Sequence, residues 1–165
     1  MKITVVVLLS ILISGSPLFA LEHQINVVRK GGNLYWAEVE KIYIQTEYCL
    51  ESSSTAAALL QMEGDSGEIT FSASGLKCDV KIIYGHTQLD AGEYLIKVSR
   101  EDDNWYGLVA KNMALKTNGC FSLVDDMQAR LQINEDGTGT LFLSEADEEC
   151  LVEGVYSKGE LQKKQ

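Results

Sequence analysis

The chain repeats itself, and that constrains its fold more than any other feature. Set residue 22 against residue 93 and read both forward. Glu22 meets Glu93, Ile25 meets Ile96, Val27 meets Val98, Arg29 meets Arg100, Asn33 meets Asn104 and Tyr35 meets Tyr106. Thr46 and Cys49 then meet Thr117 and Cys120, and Ala58, Leu60, Gln61 and Asp65 meet Ala129, Leu131, Gln132 and Asp136. One extra residue, taken as Thr138, moves the offset from 71 to 72, after which Gly67, Ser72, Cys78, Val80 and Tyr84 meet Gly139, Ser144, Cys150, Val152 and Tyr156. That is 17 identities over 64 aligned positions, where random matching gives about 4. The chain is therefore expected to hold two tandem copies of one small unit, residues 21–85 and 93–157, joined by a linker at 86–92.

A unit of that size has a thin core and needs cross-links to be stable alone. Each unit holds two cysteines, Cys49 and Cys78 in the first, Cys120 and Cys150 in the second. Four cysteines allow three pairings. If one ancestral unit folded alone, its two cysteines paired with each other, which predicts Cys49–Cys78 and Cys120–Cys150. Each bridge closes a loop of about 30 residues, worth roughly 3.5 kcal/mol in the chain-entropy treatment. No cysteines form a C-x-x-C pair and only two histidines exist, so zinc and thioredoxin-like sites are not expected.

The N-terminus explains why disulfides are expected. Lys2, the apolar run from Thr4 to Ile13, the breaker Ser14-Gly15-Ser16-Pro17 and then Leu18-Phe19-Ala20 have the order of a secretory signal peptide over residues 1–20. Export places the cysteines in an oxidising compartment, periplasmic or extracellular. No later run of about 18 apolar residues exists, so the mature chain is not expected to span a membrane. The formal charge is −10, from 24 Asp and Glu against 14 Lys and Arg. That acidity disfavours nucleic acid and anionic membranes and is compatible with a basic protein partner.

Within each unit the hydrophobic period is two, the mark of half-buried strands. Strands are expected at 34–39 and 41–46, with Gly31-Gly32-Asn33 turning the chain before them. Ala56, Ala58, Leu60 and Met62 alternate, as do Met127, Ala129, Leu131 and Ile133. A short helix at 53–61 is the rival reading of the first of these segments. Gly64-Asp65-Ser66-Gly67 and Glu135-Asp136-Gly137 are turns, Cys78 opens the last strand of the first copy, and 158–165 is a polar tail. The expected class is all-β: two antiparallel, disulfide-closed units, arranged as two lobes or as one pseudo-symmetric sandwich or barrel.

No catalytic constellation stands out. His23 aligns with Tyr94 and His86 falls in the linker, so both read as surface histidines. Carboxylate pairs such as Asp102–Asp103, Asp125–Asp126 and Glu148–Glu149 read as solvated turns. The turns around Asp65 and Asp136 lack the ligand spacing of a calcium loop. No metal or cofactor is expected.

The copies differ most in their aromatic residues. Alternation puts Tyr35, Ala37 and Val39 inward and leaves Trp36 outward; likewise Ile42 and Ile44 point inward and Tyr43 outward. The second copy has Gly107, Ala114 and Gly119 where the first has Trp36, Tyr43 and Tyr48. These three aromatics form either a binding patch or the face that packs on the second unit. Trp105, which replaces Leu34, reads as packing between lobes.

The stretch Ser72-Ala73-Ser74-Gly75 resembles the Ser-Ala-Ser-Gly loop of bacterial C-type lysozyme inhibitors, small exported β-barrel proteins that insert such a loop into the lysozyme cleft. The resemblance covers those four residues; the family pattern continues to a tyrosine where this chain has Cys78, and the second copy has Glu145-Ala146-Asp147. It implies Ser74 and Lys77 as contact residues. The sequence thus leads to an exported, non-enzymatic binding protein that contacts a protein or envelope component through Trp36, Tyr43, Tyr48, Ser74 and Lys77. The alternatives are an inhibitor of a secreted hydrolase, a small hydrolase built on carboxylates, or a structural envelope component that self-associates through sheet edges.

Overall fold

The computed structural model describes residues 21–51, 54–63 and 66–159. The expected signal peptide and residues 160–165 of the tail lie outside the described residues. All regular structure among them is β-strand. In the first half these are β1 (Leu21–Gly31), β2 (Leu34–Ala37), β3 (Ile42–Thr46), β4 (Thr55–Glu63), β5 (Ser66–Phe71) and β6 (Lys77–Thr87). In the second half they are β7 (Gly92–Asp102), β8 (Trp105–Leu108), β9 (Met113–Asn118), β10 (Met127–Ile133), β11 (Gly139–Leu143) and β12 (Glu148–Lys158).

In the first half antiparallel pairing runs β1-β2-β3-β6-β5-β4 and returns to β1, which closes a six-stranded ring. In the second half β7-β8-β9-β12-β11-β10 closes in the same order. The registers correspond as well. Ile25 faces Ala58 as Ile96 faces Ala129, and Gly67 faces Val80 as Gly139 faces Val152. Irregularities recur at equivalent places, between Arg29 and Gly31 and between Arg100 and Asp102. Every described strand has a partner on both sides, so neither ring offers the open edge through which sheets add to one another.

The matched residues of the sequence are mostly what fills and braces these rings. Val27, Tyr35, Ala58, Leu60 and Val80 are buried in one interior, and Val98, Tyr106, Ala129, Leu131 and Val152 in the other. A buried phenol needs a partner for its hydroxyl. Tyr35 donates to the Cys49 carbonyl and accepts the Glu51 N–H, at 3.3 and 3.1 Å, while Tyr106 donates to the Ser122 carbonyl at 2.9 Å. The Asn33 carbonyl accepts both the backbone N–H and the hydroxyl of Thr46, and Asn104 does the same for Thr117. Disulfides join Cys49 to Cys78 and Cys120 to Cys150, with Cα atoms 5.7 and 5.2 Å apart. Two such bridges fit an oxidising, extracellular-type environment, and among the described residues no helix is long and apolar enough to cross a membrane.

Two local expectations change and one choice between readings is decided. β2 stops at Ala37 rather than at 39, because residues 38–41 turn the chain, and Val39 is 73% exposed instead of inward. Residues 55–63 form the expected strand rather than the rival helix, since Leu60 and Ala58 are buried between β1 and β5. The connection between the halves shrinks from 86–92 to 88–91, because His86 and Thr87 continue β6 and Gly92 opens β7. Those extra residues pair with β12, His86 facing Tyr156 and Thr87 facing Val155, in a ladder that also sets Tyr84 opposite Lys158. The two rings therefore share one continuous sheet through β6 and β12.

Candidate functional site

Joining the rings through β6 and β12 brings two equivalent turns together. The β1–β2 turn at Gly31-Gly32-Asn33 and the β7–β8 turn at Asp103-Asn104 wall a cleft of about 650 Å³ between the rings. Leu34, Tyr43, Gln45 and Trp105 also line it, with Lys30, Lys116 and Glu153 at its sides. Each turn is held by the arginine that the repeat places before it. Arg29 donates to the carbonyls of Gly32 at 3.1 Å and Glu51 at 3.3 Å. Arg100 donates to the carbonyls of Asp102 at 3.4 Å and Phe121 at 2.7 Å, and pairs with Asp103 at 2.8 Å. The Asn33 side chain accepts the Cys49 N–H at 3.1 Å. In each half, then, the segment after the first cysteine is latched to the turn that walls the cleft.

The Gln45 carboxamide of the first ring donates to Asp102 of the second, and inside the second ring Lys158 pairs with Glu101. The Tyr84 hydroxyl, in the same ring as Gln45, reaches its side-chain oxygen at 3.5 Å. Gly107 sits beside the Lys158–Glu101 pair. A Cβ there would fall 2.0 Å from a Glu101 carboxylate oxygen and 2.9 Å from Lys158 Nζ, so a bare backbone leaves room for that ion pair where the first half carries Trp36.

Trp36 and Tyr43 are brought together, with ring centroids 4.5 Å apart. Tyr43 then meets Trp105 and Tyr156 edge-on at 5.4 and 5.5 Å, over the buried Ala114. Trp105, only 2% exposed, stacks on Tyr84 at 4.1 Å with planes 16° apart. Both Trp36 and Tyr43 are half-buried. Tyr43 thus belongs to the seam between the rings, with small residues opposite, while Trp36 borders it. Burial first, and the Glu153 charge second, push the Tyr43 hydroxyl above its ordinary pKa. Burial does the same to Tyr84 and Tyr156. These phenols remain neutral donors and offer no acid–base chemistry near pH 7.

Tyr48, Ser74 and Lys77 lie away from the Trp36–Tyr43 contact, around the Cys49–Cys78 bridge. Lys77 precedes Tyr84 by seven residues on β6, about 20 Å along a strand. Tyr48 is 98% exposed with φ of 47°. The Ser74 hydroxyl donates to the buried Glu51 carboxylate and accepts the Leu76 N–H at 3.3 Å. Lys77 pairs with Glu68 at 2.7 Å, and that hydrogen bond holds the Glu68 carboxyl below its usual range.

Other acidic clusters have structural partners. Cys120, Glu148 and Cys150 converge, but the two sulfurs are bonded to each other. Glu148 accepts the N–H groups of Phe121 and Ser122 at 2.8 and 2.9 Å. Hydrogen bonding from the Ser122 side chain and these N–H groups holds its carboxyl low. Asp136 folds back on Thr138 to shape its turn. Residues 64 and 65 of the equivalent turn lie outside the described residues. His86 meets the Tyr156 ring edge-on.

The exposed apolar side chains Leu50, Phe121 and Leu123 escape sequence reasoning, because they sit between strands where no alternation sorts inside from outside. The signal was in the repeat itself: Leu50 aligns with Phe121, two apolar residues one position past the matched cysteines. Compared with known proteins, the chain matches no family model, no curated protein and no solved structure.

Proposed function

We propose that the protein is an exported, non-enzymatic binding protein of the periplasm or extracellular space, with Tyr48 as its first contact residue. The observation that carries this reading is the backbone under that side chain. Tyr48 has φ of 47°, in the left-handed region, where an L side chain costs roughly 1 kcal/mol. Being 98% exposed, the ring recovers nothing by burial. The corresponding residue of the second half is Gly119, with φ of 77°, the residue type that takes this conformation freely. A tyrosine placed where folding favours glycine, braced by the adjacent disulfide, points to contact outside the fold.

The test is photo-crosslinking from position 48 in the exported fraction of the producing cell, followed by titration with the purified partner. Tyr48→Gly is expected to weaken binding about tenfold or more without lowering the melting temperature. Equal affinity for both forms would sink the reading.

A second reading, inhibition of a secreted hydrolase such as lysozyme, rests on residues Ser72 to Lys77, which are exposed throughout. Ser74 ties this loop to Glu51. A lysozyme assay with Ser74→Ala and Lys77→Ala decides it: no inhibition by the parent protein removes the idea.

A further inference from the structure

Both halves expose apolar side chains next to their first matched cysteine. In the first half these are Tyr48 and Leu50, in the second Phe121 and Leu123, the last two 76% and 87% exposed. Arg29 fastens the first segment to one wall of the cleft and Arg100 fastens the second to the other. Each apolar segment is therefore tied to one of the two turns that rim the same opening. We propose that they form one bipartite docking face, spanning the cleft, for a basic protein partner with apolar side chains of its own. This rests on the binding reading above and extends it to the second half.

Charge selects the occupant. Exposed carboxylates flank the apolar side chains: Glu47 beside Tyr48, Asp125 after Leu123 and Asp102 on the turn between, while Asp126 is paired with Lys97 and Asp103 with Arg100. The whole chain carries −10. A second copy would set one such face against another, and an anionic lipid surface would meet the same repulsion. A cationic protein is attracted over the Debye length and then held by short-range apolar contact. Side chains on braced backbone lose little conformational freedom on binding, which favours them as anchors.

Selection of a random peptide display library against the intact disulfide-bonded protein tests this directly. Enriched peptides are expected to combine Lys or Arg with aromatic or branched aliphatic residues. Their binding should weaken about tenfold in each of Phe121→Ser and Tyr48→Ser, and again about tenfold on raising the salt from 0.05 to 0.5 M. Leu95→Ser, at an exposed apolar position on the outer face of β7, should change nothing. Loss with Tyr48→Ser but not with Phe121→Ser overturns the bipartite face and leaves the single-loop reading standing. Loss with neither overturns both. No enrichment of basic sequences also overturns the proposal. So does loop-dependent dimerisation in sedimentation, or loop-dependent binding to vesicles of phosphatidylcholine and phosphatidylglycerol.

Discussion

Gly85 and Ser157 align with each other in the sequence repeat, and they are also register partners of each other where β6 meets β12. The Ser157 hydroxyl donates to the Gly85 carbonyl at 3.3 Å. A position that pairs with its own counterpart lies on a local two-fold axis, so Tyr84 facing Lys158 is mirrored by His86 facing Tyr156. The side chains break that symmetry. Trp105 and Tyr43 meet near the axis, whereas their counterparts are Leu34 and Ala114. The rings thus pair backbones symmetrically and interlock side chains asymmetrically.

The seam predicts unequal consequences for the two tryptophans. Trp105→Ala should destabilise the protein by about 3–5 kcal/mol, the cost of emptying a buried aromatic site. Trp36→Ala, at a half-buried site, should cost less than about 1.5 kcal/mol. Urea unfolding followed by far-ultraviolet circular dichroism would show this; equal losses would refute the packing assigned to Trp105.

Each disulfide closes its loop within one ring, with sequence separations of 29 and 30. Replacing either cysteine pair by serine should lower stability by about 3.5 kcal/mol, and by similar amounts for the two. A non-reducing peptide map should recover Cys49 joined to Cys78 and Cys120 joined to Cys150. A map showing a bridge between the halves would contradict the fold.

At Tyr48 the sign of the stability change is the informative quantity. Replacement by glycine relieves the left-handed strain but frees the unfolded chain, two effects of about 1 kcal/mol each that oppose. Unfolding free energy should therefore stay within about 1 kcal/mol of the parent. A drop of several kcal/mol would mean that the tyrosine ring supports the fold.

Glu148 couples the second latch to pH. Its carboxyl is held below the ordinary glutamate range by hydrogen bonds from Ser122 and Phe121. A depressed folded-state pKa stabilises the fold above the unfolded value, near pH 4.3, and that contribution fades as pH falls through the folded value. Glu148→Gln should therefore be less stable than the parent at pH 7, with the gap closing below pH 4. Denaturation at pH 7 and pH 3 checks this; a gap that widens in acid would reverse the assignment.

Much of the fold was legible because alternation and repetition are local or self-referring signals. Leu60 and Leu131 announce their burial by period two, and the matched Asn, Thr, Arg and Tyr residues recur because each performs the same bracing in its ring. The candidate site was less legible. Trp36 and Tyr43 were identified as a pair, but whether they face solvent or the other ring depends on how β6 and β12 meet. Leu50 and Phe121 lie in irregular segments, where exposure is set by which turn the backbone is tied to.

The sequence alone determined the all-β class, the pairing of cysteines within each half and most of the residues that fill each interior, since side-chain alternation and the covalent spacing of the chain act over short range. Only the tertiary structure decided that β6 runs on to Thr87 and joins β12, and with that the seam, the cleft and the two rims. That pairing links positions 72 residues apart, Gly85 and Ser157. Backbone hydrogen bonding is available to any strand of suitable length, and what selects one partner is the packing of Tyr43, Tyr84, Trp105 and Tyr156 around the axis, a contact that no local pattern records.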